Sequence, residues 1–157
     1  MRLRFLIPML CATALWPQQK LSPVDDNGYQ TVLKSNRGKV TLVDFWATWC
    51  APCRKEMPLV LKLENRLREK GFQLVTISAD EPEQEGAAVA FLKKSGIAWP
   101  AYLRRAKDDD KFISSVDPKW SGALPAMFLY DRQGKLVKSF TGEADIAALE
   151  AAIRKLL

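Results

Sequence analysis

Apolar residues along this chain follow two rhythms, short continuous runs and spacings of three or four, and their alternation predicts an α/β fold. Val40-Thr41-Leu42-Val43-Asp44-Phe45-Trp46 is almost unbroken and β-prone, as expected of a central parallel strand covered on both faces. Phe72 to Ser78 reads as a second buried strand. Between them, Ala51 to Lys70 carries Met57, Val60, Leu61, Leu63 and Leu67 on a helix face, and Gly71 supplies the stop. Glu83 to Lys94, with Val89, Phe91 and Leu92, predicts another helix ended by Ser95-Gly96.

The flanking stretches are less regular. Lys20 to Gly28 is polar and turn-rich and reads as a lead-in, after which Tyr29, Val32 and Leu33 fit a short helix or turn. Ala98 to Leu103 is short enough for an edge strand, and the alternating charges of Arg104 to Asp110 belong to a solvent loop. Ala126 to Tyr130 and Lys135 to Phe140 flank Asp131-Arg132-Gln133-Gly134, the turn of a β-hairpin. Glu143 to Leu157 closes the chain with Ile146, Leu149, Ile153 and Leu156 on one stripe. The order β-α-β-α-(β)-β-β-α implies a central mixed sheet with helices on both faces.

A length of 157 residues with 48% hydrophobic content suits one ordinary domain. Met1-Arg2-Leu3-Arg4 followed by apolar Phe5 to Trp16 reads as a secretory signal peptide over residues 1–19, with Ala12-Thr13-Ala14 as a cleavage pattern. A retained N-terminal membrane anchor is the alternative, and residues 20–157 form the domain in either case. Cys11 belongs to the apolar leader, since Leu10 before it does not suit lipid modification. The formal charge of +6 falls by two without Arg2 and Arg4, and the remaining cations are interleaved with Glu56, Glu64, Glu69 and Asp108 to Asp110. No basic stripe tracks a phosphate backbone, which argues against a nucleic-acid partner.

Without the leader, Cys50 and Cys53 remain as a single pair outside the cytoplasm. A loop of two residues restricts the unfolded chain little, so the pair reads as chemistry and not as a staple. It lies where a strand hands over to a helix, with Cys50 at the helix start and Cys53 one turn further on the same side. Free backbone N–H groups and the positive helix end favour a thiolate at Cys50, lowering its pKa from about 8.5 towards about 7. Cys50 is therefore the expected accessible nucleophile, and Cys53 the shielded thiol that resolves a mixed disulfide. Pro52 suits a first helical turn, and Pro58 reads as a structural kink. Ala51-Pro52 adds no charge to hold the thiolate strongly, which points to a reductant or mild exchanger. The same spacing also serves metals. With no histidine and no second cysteine pair, zinc lacks ligands and no metal site is expected, while a binding module or Cu(I) carrier stays as the rival. No bound cofactor is required.

Asp44 interrupts an apolar strand, and burial raises the pKa of an unpaired carboxyl, so it reads either as a proton relay for Cys53 or as a water-linked structural acid. Trp49 either shields Cys50 and contacts partners or simply packs. The acids from Asp80 to Glu85 either tune the site or cap a helix, and the cap is the simpler reading of Asp80 and Glu83.

Val43-Asp44-Phe45-Trp46-Ala47-Thr48-Trp49-Cys50-Ala51-Pro52-Cys53, with Pro58 five residues on, resembles the active-site segment of thioredoxins. Leu124-Pro125 resembles the cis-proline dipeptide of that superfamily, and Ser121 to Asp131 is similar to the matching stretch of the exported TlpA/ResA-like reductases. The extra segment Asp80 to Asp117 suits them too. The resemblance implies a thioredoxin-like three-layer sandwich with an insertion before the cis-proline strand, acting as a thiol-disulfide oxidoreductase. It implies that Asp44 is the buried acid, and that Leu124 and Pro125 lie beside the disulfide where the Leu124 backbone pairs with an extended substrate. Trp49 joins them as a substrate-binding residue. Ala126 stands where thioredoxins usually have threonine, so that hydroxyl is lost. The implied partners are cysteine-containing protein substrates and a thiol electron donor, either membrane-bound or soluble, served by a monomer.

Overall fold

A computed structural model describes residues 19–157. The leader, its cleavage pattern and Cys11 lie outside the described residues, apart from Gln19. The chain runs β1 (Ser22–Val24), α1 (Asp26–Ser35), β2 (Val40–Trp46), α2 (Ala51–Leu67), β3 (Phe72–Ser78), α3 (Glu85–Ser95), β4 (Tyr102–Arg104), α4 (Asp109–Val116), β5 (Ala126–Tyr130), β6 (Leu136–Thr141) and α5 (Ile146–Arg154). Its six strands form one sheet in the order β1-β4-β3-β2-β5-β6. β1 to β4, β4 to β3 and β3 to β2 pair in parallel; β5 and β6 complete the sheet antiparallel. This is the mixed sheet expected, with the segment carrying α3, β4 and α4 inserted before β5.

Side-chain alternation along the strands divides the core in two. Leu42 and Trp46 of β2, Leu74 of β3 and Met127 and Leu129 of β5 pack with Met57 and Val60 of α2, Leu92 of α3 and Leu149 and Ile153 of α5. Val43 and Phe45 of β2, Val75 and Ile77 of β3 and Phe128 of β5 face the opposite way, against Tyr29 and Val32 of α1 and Phe112 and Val116 of α4. The central β2 is buried at every position, which is why its sequence reads as a continuous apolar run.

Three expectations fail. The supposed lead-in contains β1, whose amide at Ser22 donates to Ala101 O at 2.9 Å and which covers β4, so β4 is not an edge. The charged run beyond Arg104 is not all loop: Asp108 caps α4 by accepting from the Lys111 amide at 3.0 Å, and Asp109 and Asp110 fill its first turn. Asp80 is not a helix cap; Glu81 and Gln84 make the reciprocal capping pair instead.

Phe112 is fully buried, edge-on to Tyr29 at 5.8 Å and to Phe45 at 6.0 Å. Phe112→Ala should therefore cost about 3 kcal/mol in urea unfolding, the scale of an aromatic removed from a packed core; a change near zero would mean that α4 is not anchored.

Candidate active site

β2 ends at Trp46 at the carboxyl edge of the sheet, and the chain passes through Ala47, Thr48 and Trp49 to Cys50, the cap residue of α2. Cys50 and Cys53 are joined in a disulfide with Cα atoms 5.3 Å apart. Cys50 Sγ also accepts a hydrogen bond from the Cys53 amide at 3.3 Å. A sulfur in that position receives the unpaired N–H groups and the positive end of α2, the environment that stabilises a thiolate once the disulfide opens. The Cys50 carbonyl begins the helix by accepting from Arg54 N, and the helix runs through Pro58 to Leu67 without a break.

Cys50 is 5% exposed and Cys53 2%. Both are buried, so the openness expected of Cys50 is not found. As the cap of a helix whose first turn is packed, Cys50 belongs to the same cluster as Trp46, Ala47 and Cys53. Trp49 next to it is 62% exposed, so it does not pack into the core.

The Leu124–Pro125 peptide bond is cis, as is Trp99–Pro100, which no sequence pattern had marked. Ala126 pairs with Phe45, so Pro125 enters the sheet beside the end of β2 from which the Cys50 loop departs. Leu124 packs against the cluster that contains both cysteines. Trp46 and Trp120 are structural: Trp46 lies tilted against Phe91 at 5.0 Å, and Trp120 lies against Phe45 at 4.8 Å.

Asp44 is buried and, sharing strand parity with Leu42 and Trp46, faces α2 and the cysteines. Burial, and then the nearby Glu56 charge, push its carboxyl up to about 7. Glu56, one turn beyond Cys53 on α2, is itself buried and raised by that burial; its Oε1 accepts from Ala144 N at 2.5 Å, while Oε2 has no protein partner. In the sequence Glu56 is one more acid in an interleaved pattern, and only its helical spacing from Cys53 hints at the site.

Asp80 neither caps a helix nor lies at the surface. It is buried at the end of β3, and its carboxylate accepts from Thr48 N at 3.0 Å, Thr48 Oγ1 at 2.6 Å and Ser78 Oγ at 2.7 Å. This acid ties down the loop that presents Trp49 and Cys50. No group of three or more His, Cys, Asp or Glu side chains among the described residues is arranged to hold a metal ion.

The redoxin family model matches residues 12–153. The thiol-disulfide oxidoreductase ResA of Bacillus cereus is 34% identical over 132 residues, 84% of this chain and 72% of that protein. Among solved structures, a thiol:disulfide interchange protein of the thioredoxin family from Chlorobium tepidum aligns with TM-score 0.64 and 25% identity, covering 78% of this chain and 83% of its own. A putative protein disulfide isomerase from Bacteroides thetaiotaomicron aligns with TM-score 0.64 and 32% identity over 80% and 77%.

Two outcomes check this geometry. The unfolded chain ionises Asp44 at its ordinary 3.8 and the folded one at about 7, so folding takes up a proton between those values and stability falls as pH rises through them. Asp44→Asn should thus be more stable than wild type at pH 8, by up to roughly 4 kcal/mol, with the gap closing near pH 4 in urea unfolding; a pH-independent gap contradicts the assignment. Asp80→Ala, which orphans the buried Ser78 hydroxyl and two half-buried Thr48 donors, should lose about 3 kcal/mol, whereas a surface cap would cost about 1 kcal/mol.

Proposed function

The chain belongs to the redoxin family, within the thioredoxin superfamily, and is a thiol-disulfide oxidoreductase; on that premise we propose that it reduces disulfides of other proteins outside the cytoplasm, with Cys50 as nucleophile and Cys53 as resolving thiol. The observation that carries the assignment of roles is the position of the Cys50 sulfur, which accepts the Cys53 amide at the start of α2 while Cys53 lies inside the first turn. In the reduced protein the Cys50 thiolate attacks one sulfur of a substrate disulfide, and the other sulfur leaves with the bonding electron pair and takes a proton. Cys53 then gives its proton to a base and attacks Cys50 Sγ, expelling the second substrate thiolate. The second substrate thiolate takes up the proton held by that base, and the first leaving sulfur has taken its proton from solvent; two electrons have passed to the substrate, and Cys50 and Cys53 are left as the disulfide described above.

Asp44 is the base we assign to Cys53. A carboxyl with a pKa near 7 is ionised often enough to accept a proton and protonated often enough to return one. Glu56 shares that buried face and opposes double ionisation by its charge. Leu124 and Pro125 offer their backbone, and Trp49 its exposed ring, to an extended substrate segment.

The extracytoplasmic setting rests on the basic and then apolar pattern of residues 1–19, either cleaved or kept as an anchor. Among the described residues no helix is long and apolar enough to cross a membrane. A membrane-bound or soluble dithiol donor would restore the reduced pair. The relatives do not favour the rival reading of the cysteines as ligands for Cu(I) or another bound group.

Cys53→Ser tests the assignment of roles. Expressed in cells, it should accumulate mixed disulfides on Cys50 that are released by dithiothreitol, while Cys50→Ser should accumulate none. Adducts on Cys53 in the second variant would reverse the roles.

A further inference from the structure

Beside the disulfide, α2 and α3 leave a groove of about 530 Å³ lined by Ala51, Arg54, Lys55, Pro58, Phe91 and Lys94. Its apolar part is Ala51, Pro58 and the half-buried Phe91, whose ring rests on Trp46. Arg54, Lys55 and Lys94 are all exposed, and no ion pair among the described residues engages any of them. No carboxylate lines the groove. Glu85, at the opposite end of α3, stands roughly 14 Å along the helix from Lys94.

Position gives this patch its meaning. Ala51 follows Cys50 directly, so a partner that brings a sulfur to Cys50 lays the residues flanking that sulfur across or beside the groove. Three cations without counterions around an apolar floor form a positive potential that a partner of opposite charge neutralises, with gain in encounter rate and in orientation. The apolar floor adds a place for one side chain of that partner.

We propose that this groove docks the segment flanking the reactive cysteines of the protein substrate, and that this segment is acidic with an apolar anchor residue. The proposal rests on the disulfide-exchange reading and adds to it the class of substrate.

The test uses the reduced full chain and two cystine peptides alike except for Asp and Glu or Lys and Arg around the disulfide, with uncharged 2-hydroxyethyl disulfide as reference. At low salt the acidic peptide should oxidise the chain roughly tenfold faster than the basic one, and the difference should collapse at about 0.5 M salt, where screening is strong. In the combined variant Arg54→Glu, Lys55→Glu and Lys94→Glu the ratio of the two rates should invert. Reading a ratio removes any shared change in thiol reactivity. Lys94→Glu alone, on α3 and apart from the cysteine turn, should move the ratio several-fold in the same direction and serves if the combined variant does not fold. Equal rates, or preference for the basic peptide, with 2-hydroxyethyl disulfide still reduced, would overturn the proposal alone. Inertness towards all three disulfides would overturn the exchange reading beneath it.

Discussion

The site depends on one constraint: the first sulfur of the pair is also the cap of a helix. Because Cys50 Sγ accepts from the Cys53 amide, the chemistry of this sulfur and the start of α2 are fixed by the same few atoms. Shifting the loop by one residue would take the sulfur out of the field of the helix and break the cap together. The surroundings hold that register. β2, buried at all its positions and paired on both sides, sets where the loop begins, and Asp80 fixes Thr48 midway along it.

Buried acids divide the labour around this turn. Asp80 is surrounded by donors and serves position. Asp44 and Glu56 sit on the α2 side of the sheet with fewer partners, and their carboxyls are raised by burial, which fits the proton exchange proposed for Asp44. Leaving Asp44 in the core makes the fold less stable above neutral pH. A sheet strand with a fully apolar inner face would avoid that cost, which supports the proton-relay role proposed for Asp44.

Much of this was legible in the sequence, for reasons that differ by element. β2, α2, the β5–β6 hairpin and α5 carry their own periodicity and stop signals, and the cysteine pair with Leu124-Pro125 stood out as motifs. β1 was hidden because three residues around Pro23 gain their pairing only from β4, some eighty positions later. α4 was hidden by its own cap, since a run of Asp108, Asp109 and Asp110 looks like a solvent loop until Phe112 and Val116 are seen to be buried. Asp80 reaches back 32 residues to Thr48, and nothing local distinguishes it from a helix cap. Glu56 betrayed itself only by lying one turn from Cys53. The near-closure of Cys50 is likewise a tertiary property, set by packing against Trp46 and Ala47.

The most direct measurement is limited alkylation of the reduced chain, with the modified cysteine located by mass spectrometry. A sulfur that caps α2 and a second one held within its first turn should differ sharply, so the label should fall on Cys50 while Cys53 is spared. Equal labelling, or labelling of Cys53 first, would contradict the account.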